Sequence, residues 1–396
     1  MYSLLLVIIY FAFIALGLPD ALLGSAWPII RNEMGVSLSY AGIISAIISA
    51  GTIISSLLSD RFTKKLGAGF ITAISVLMTA VSLFGFSLSG SFFMLCIFAV
   101  PYGLGAGAVD AALNNYVALH YKSKHMNWLH CFWGVGATIS PYIMGYCLTN
   151  GLGWNNGYRT VAVIQIILTT VMFAALPVWK KQNVKTLTNT PNEKCRTDVL
   201  KLSQIIQIKG VKFILPAFFF YCALEQTTGL WASSFLVLWR NVNPETAAKY
   251  ASFFFLGITV GRFLCGFISD KIGDKNMLRI GISVIIAGII AVWLPVNLNI
   301  LCLIGLIVIG LGCAPVFPSL IHATPYNFGK ENSQAIIGVQ MASAYMGITT
   351  MPPLFGLIAE KISISLYPLF LIILAVLMLT LTEKLNKVVE SQKQAI

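Results

Sequence analysis

Long apolar runs dominate the chain, and short polar or Gly- and Pro-containing breaks separate them. A bilayer core requires about 20 apolar residues per helical span. Membrane-spanning strands alternate over about ten residues, so continuous runs of this length predict helices, which satisfy their own backbone in lipid. Twelve runs qualify, at 4–30, 39–59, 67–87, 91–119, 127–149, 158–178, 211–239, 247–269, 278–296, 299–321, 334–359 and 365–382.

Three features of these runs occur twice, about 210 residues apart, and indicate an internal duplication. Parallel six-helix repeats are a transporter plan in which the solute binds between the halves near the membrane midplane. We therefore expect an all-α integral membrane protein with twelve transmembrane helices in two six-helix, pseudo-symmetric bundles. The paired features are Gly51 to Asp60 with Gly261 to Asp270, Gly136-x4-Pro141 with Gly347-x4-Pro352, and Gly103-Leu-Gly105 with Gly310-Leu-Gly312.

The longest polar segment lies between the sixth and seventh runs and predicts the boundary between the two bundles. It carries several Lys and Arg side chains, as expected for a solvated connector near anionic lipid; a regulatory or partner-binding role is the alternative. The expected divisions are an N-terminal bundle at 1–178, a cytoplasmic linker at 179–210, a C-terminal bundle at 211–384 and a cytoplasmic tail at 385–396.

Composition and the distribution of charge indicate a membrane protein and argue against a nucleic-acid partner. Hydrophobic residues make up 57% of the chain, charged residues 10%, and the mean hydropathy is +0.83, whereas soluble domains carry about 25% charged residues. The net charge of +12 is unevenly placed: with Met1 inside, inner loops and the tail hold 20 of the 26 Lys and Arg residues. The positive-inside rule then predicts a multi-pass protein of the cell membrane with both termini in the cytoplasm.

The loop after span two reads Ser56-Leu-Leu-Ser-Asp60-Arg61-Phe-Thr63-Lys64-Lys65, and its copy reads Gly266-Phe-Ile-Ser-Asp270-Lys271-Ile-Gly273-Asp274-Lys275. Both resemble the loop signature of the major facilitator superfamily, Gly-x-x-x-Asp-Arg-x-Gly-Arg-Arg/Lys. The first copy replaces both glycines, and the second has Asp274 where a cation is expected. The resemblance implies an inner-side latch formed by Asp60, Arg61, Asp270 and Lys271; the alternative is that they only set topology.

Four ionisable residues fall deep within spans, namely Asp20, Asp110, Glu225 and Arg262. A charge at the bilayer centre costs at least about 2.5 kcal/mol and therefore marks function. Acids in helices one and four are similar to those of fucose permease-type sugar:proton symporters, which implies proton coupling at Asp20 and Asp110. We add Glu225 as a coupling candidate and Arg262 as a gating candidate. The alternatives are a helix cap at Asp20, an interhelical hydrogen bond at Asp110 and a structural Glu225–Arg262 ion pair.

Sugar recognition needs flat apolar faces beside groups that match hydroxyls, so aromatic and amide side chains on cavity-facing helices are candidates. Aromatic side chains in membrane proteins often face lipid or the interface instead. His130, whose ordinary pKa is about 6.5, is also a candidate for proton transfer; the alternative is a packing or helix-end role. The candidate solute-binding residues are Asn114, Asn127, His130, Trp133, Tyr221, Gln226, Trp231 and Gln340.

The sequence thus favours a secondary transporter that takes up a sugar or sugar-like polar solute with protons by alternating access. A proton-coupled efflux antiporter for drugs or sugar metabolites is the main alternative, and a transporter-like sensor is a third. We expect no enzymatic activity because the chain lacks a Walker loop. We also expect a monomer with no cofactor beyond the coupling proton, no metal site and no disulfide.

Overall fold

The computed structural model describes residues 2–36, 40–180, 200–242, 244–294 and 299–394. Within these ranges the chain is helical apart from short connections, and none of the residues forms a strand. Most of the predicted linker, 181–199 with its Cys195, lies outside the described residues. The end of the predicted tail, 395–396, also lies outside them.

The first six predicted spans coincide with helices, of which the first is broken. The break falls at Ala21, two residues after Pro19. Proline lacks the N–H that would bond to the Ala15 carbonyl, and Gln165 Nε2 donates to that carbonyl instead. The helices are α1 (Tyr2–Asp20), α2 (Leu22–Glu33), α3 (Tyr40–Leu66), α4 (Ala68–Leu88), α5 (Phe92–His120), α6 (Ser123–Thr149) and α7 (Gly153–Ala174).

The last six predicted spans also coincide with helices, and the tenth is divided near Pro315. A π-helical turn, Ala359–Ser363, and a 3-10 turn, Ile364–Leu366, separate the final two. The helices are α8 (Leu202–Gln207), α9 (Val211–Leu238), α10 (Pro244–Ile272), α11 (Asp274–Trp293), α12 (Asn299–Cys313), α13 (Val316–His322), α14 (Thr324–Phe328), α15 (Lys330–Ile358) and α16 (Tyr367–Gln394).

Nine segments of the described chain are long and apolar enough to cross a membrane, and the last of them, Lys330–Gln392, covers two predicted spans. Helices α6 and α9 are the two predicted spans that fall outside this set. Each interrupts its apolar sequence with polar side chains, Asn127 and His130 in α6 and Glu225 and Gln226 in α9. Because lipid disfavours such groups, these two helices are where polar function is expected.

The chain separates into two compact units. The first unit contains Met1–Tyr116 and Leu129–Val199, and the second contains Leu200–Ile396 together with Val117–Trp128. The segment Val117–Trp128, which joins α5 to α6, therefore packs with the second unit. The domain boundaries expected from the sequence stay a prediction.

The duplicated glycines make equivalent close contacts inside each unit. A side chain at Gly136 would overlap the carbonyl oxygen of Ile14, so α6 lies directly against the backbone of α1. In the second unit a side chain at Gly347 would meet the carbonyl oxygen of Phe219 in the same way, which places α15 against α9. Small residues permit this approach of helix backbones, and its recurrence supports the duplication.

Candidate functional site

In the first unit, three helices bring their polar side chains together around Asp20. The Tyr102 hydroxyl on α5 donates to Asp20 Oδ1 over 2.8 Å, and the Trp133 indole Nε1–H on α6 donates to Oδ2 over 3.0 Å. Asp20 is exposed although Leu18 and Leu22 beside it are buried. The break after α1 thus presents a reachable carboxylate, framed by a phenol and an indole.

The second acid of this unit, Asp110, begins a chain of hydrogen bonds. The Asn114 amide Nδ2 donates to Asp110 Oδ1 over 2.8 Å and to its backbone oxygen over 2.9 Å. Asn114 Oδ1 lies 3.1 Å from His130 Nε2. Since the amide oxygen only accepts, His130 must carry its proton on Nε2. A buried amide therefore connects a carboxylate to an imidazole. Proton coupling by Asp20 and Asp110 stays a prediction.

In the second unit the polar group within the spans is formed by α9, α10 and α12. The Tyr221 hydroxyl hydrogen-bonds to Glu225 Oε2 and also lies 3.0 Å from the Cys313 carbonyl oxygen. Arg262 Nη2 lies 3.7 Å from Glu225 Oε1, and only 4% of Arg262 is exposed. The Tyr221 hydroxyl has one hydrogen and can donate it to only one of these two acceptors at a time. A proton on Glu225 would therefore change which hydrogen bonds Tyr221 makes.

Arg262 lies in this cluster, within the span, and pairs with Glu225. A buried guanidinium is strongly destabilising without such a partner. The geometry is that of the structural ion pair given above as the alternative for these two residues. Gating by Arg262 and proton coupling by Glu225 stay predictions.

The remaining solute-binding candidates differ in exposure, and three of the four make hydrogen bonds to other protein groups. Asn127 is completely buried and donates to the Ser123 carbonyl over 3.1 Å. The Trp231 indole N–H donates to the Pro352 carbonyl over 3.0 Å, so it holds α9 to α15. Gln340 is also buried and accepts from Thr324 Oγ1 over 3.0 Å, while Gln226 is exposed. Their roles in solute binding stay predictions.

The two copies of the loop signature use their acids differently. In the first, Asp60 pairs with Lys64 one turn further along α3, at 3.0 Å, and Arg61 is exposed. In the second, Asp270 accepts from the backbone N–H of Lys124 over 3.1 Å. Lys271 is exposed. The latch that the resemblance implies stays a prediction.

Two functional features escaped the sequence analysis. The first is the contact of Tyr102 with Asp20. Tyr102 lies between Pro101 and Gly103, and a hydroxyl group at this point of a predicted span could have marked it as a candidate. Asp274 was noted only as a departure from the loop signature, yet it binds Ser123 and His322. An acid at a position where a cation is expected needs hydrogen-bond donors from elsewhere in the chain. The four histidines of the chain were candidates for this role.

A family model described as Major Facilitator Superfamily matches residues 9–243 and 216–394. The chain belongs to this superfamily. Among curated relatives, the glucose/mannose transporter GlcP of Bacillus subtilis is 22% identical over 386 residues, covering 96% of this chain and 94% of that protein. The cis,cis-muconate transport protein of Acinetobacter baylyi is 25% identical over 381 residues, covering 90% and 88%.

Solved structures of the superfamily share the fold. The crystal structure of a variant of the E. coli fucose:proton symporter FucP aligns with a TM-score of 0.77 at 13% identity, covering 97% of this chain and 99% of that one. The proton:xylose symporter XylE aligns with a TM-score of 0.74 at 12% identity, covering 95% and 94%. The expected family and twelve-helix fold are therefore confirmed. The protein is a multi-pass membrane transporter and not an enzyme.

Proposed function

We propose that this major facilitator protein takes up a sugar or sugar-like polar solute together with protons by alternating access. The observation that carries the proposal is the cluster of Asp20, Tyr102 and Trp133, where an exposed carboxylate lies beside an indole and a phenol. A carboxylate accepts hydrogen bonds from sugar hydroxyls, and an indole offers a flat apolar face. Relatives named as glucose/mannose and fucose:proton transporters support the same solute class.

The charge of the cluster bears on which solute it accepts. While Asp20 is ionised, a dicarboxylate such as muconate would meet a like charge there, and repulsion inside a span is weakly screened. A neutral polyol would instead add hydrogen bonds to the same oxygens. The first unit thus favours a neutral solute, although one relative is a muconate transport protein.

The same unit supplies the proposed coupling groups, Asp20 and Asp110. When a proton neutralises either carboxylate, the free energy needed to enclose it in a dry cavity falls. Solute and proton would then be released together on the cytoplasmic side. Coupling to a proton, and inward direction, both belong to this proposal.

Counterflow in proteoliposomes tests the proposal. Vesicles loaded with hexoses, pentoses, hexuronates, muconate or a cationic drug would be tested for exchange of the labelled compound, and then for accumulation under an acid-outside gradient. We expect exchange of at least one neutral sugar and its accumulation under the gradient. Exchange of only the drug or only muconate would contradict the solute class.

A variant pair ties transport to the cluster. Trp133→Phe keeps an aromatic ring but removes the N–H that binds Asp20, so the half-saturating sugar concentration should rise about tenfold, as expected for one lost hydrogen bond to a charged group. Trp239→Phe is the matched control, because Trp239 is 54% exposed. Equal half-saturation in both variants and the unmodified protein would remove Trp133 from the site.

A further inference from the structure

A further polar cluster lies within the second unit, and none of its residues belongs to the Asp20 cluster or to the Glu225–Arg262 pair. His322 at the end of α13 places Nδ1 2.6 Å from Asp274 Oδ2 at the start of α11, and Nε2 3.1 Å from the carbonyl oxygen of Tyr121. The Ser123 hydroxyl donates to the other oxygen of Asp274 over 2.6 Å. We call these four residues the His322 cluster. It connects α11 and α13 to the segment Val117–Trp128.

The partners of the imidazole determine how many protons it carries. A carboxylate and a backbone carbonyl can only accept hydrogen bonds. Both ring nitrogens of His322 must therefore donate, and only the doubly protonated imidazolium has two N–H groups. A neutral ring would keep one of these bonds and would set a lone pair against the oxygen of the other.

The charges around the ring agree with a cation. Burial of the ring disfavours its charge, but the hydrogen bonds to Asp274 and Tyr121 and the negative charges of Asp274 and Asp270 outweigh it and raise the pKa of His322. Asp270 is held by the backbone N–H of Lys124. Lys122 and Lys124 lie on the joining segment and act on His125, which also faces Asp270. The side chains of His322 and Asp274 are 19% and 17% exposed, so the pair is partly shielded from water while protons can still reach it.

The duplication identifies the counterpart of Asp274 and shows how the two copies differ. In the first copy the equivalent residue is Lys64, which pairs with Asp60 inside its own helix. In the second copy Asp274 cannot pair with the acid Asp270 one turn before it. Both of its oxygens are instead taken by Ser123 and His322.

We propose that His322 is a proton-binding site that fastens the segment Val117–Trp128. With the proton bound, the imidazolium bridges Asp274 and Tyr121 and holds the segment against α11 and α13. When the proton leaves to water, one bridge is lost and the Tyr121 end of the segment is released. The proposed ligand is a proton, and the proposal does not depend on which solute the transporter carries.

Histidine NMR tests protonation directly, because the chain has only four histidines. Protein labelled with nitrogen-15 histidine in nanodiscs, without solute, should show one imidazole protonated at both nitrogens at neutral pH. The signal of this doubly protonated imidazole should be absent in His322→Gln. In Asp274→Asn, the His322 imidazole should instead give the signal of a neutral ring. A neutral His322 at neutral pH, or an unchanged titration in Asp274→Asn, would overturn the proposal.

Hydrogen exchange tests the release of the segment. Amides in 117–128, corrected for intrinsic rates, should exchange about tenfold faster once pH rises through the His322 titration, which corresponds to one lost charged hydrogen bond. His322→Gln should exchange fast at every pH, and the control His125→Gln should keep the pH dependence. Exchange that is independent of pH in the unmodified protein would also overturn the proposal. If His322→Gln does not fold, the unmodified protein alone decides.

Discussion

At the scale of residues, the two acids of the first unit have different surroundings that suit different tasks. Asp20 is exposed and receives hydrogen bonds from a phenol and an indole, as a solute contact would. Asp110 accepts a hydrogen bond from Asn114, which is completely buried and also hydrogen-bonds to His130. These surroundings agree with the proposal that Asp20 contacts the solute in addition to binding a proton, and that Asp110 takes part in proton coupling.

Asp110→Asn should therefore separate coupling from transport. The amide keeps the size of the side chain and can still bond to Asn114, but it cannot ionise. We expect sugar counterflow to persist while accumulation under an acid-outside gradient falls to the level without a gradient. Proteoliposome uptake with and without the gradient measures both, and Asp110→Glu, which can still ionise, should keep accumulation. Full accumulation in Asp110→Asn would rule out Asp110 as the coupling group.

At the scale of elements, backbone contact between helices rests on a few glycines. Gly136→Leu would drive a side chain into the carbonyl of Ile14 and force α6 away from α1. Overpacking of this kind costs about 1–3 kcal/mol, so the melting temperature in detergent should fall. Gly145→Leu is the control on the same helix, since no atom lies within 4 Å of a side chain placed at Gly145. Equal melting of the two variants would show that the α1–α6 contact is not tight.

The positions of the helices were the part of the structure that the sequence predicted best. Each predicted apolar run coincides with a helix in the part of the chain that the structure describes, because in lipid a helix must satisfy its own backbone. The partners of Asp20 could not be read in this way, since Tyr102 and Trp133 come from helices 82 and 113 residues away. Asp274 and His322 were missed for a similar reason: their contact depends on how α11 and α13 pack, which periodicity does not determine.

At the scale of the whole molecule, the cation distribution predicts orientation. The positive-inside rule places Lys275 and the α5–α6 connection in the cytoplasm and Arg240 outside. Alkaline phosphatase, which is active only outside the cytoplasm, should then be active when fused after Arg240 and inactive after Lys275. Only α10 lies between these points, so a single helix should reverse the signal. Green fluorescent protein, which fluoresces inside, should give the opposite pattern at both fusion points.

Orientation also decides which compartment sets the protonation of His322. Tyr121, Ser123 and Asp274 all lie at ends that the charge distribution assigns to the cytoplasm, so His322 should respond to cytoplasmic pH. In sealed proteoliposomes, changing the pH on the side that carries the Lys275 end should alter exchange of 117–128, whereas changing it on the opposite side should not. A response to the opposite side alone would mean that protons do not reach His322 from the Lys275 side, which would contradict the proposed access.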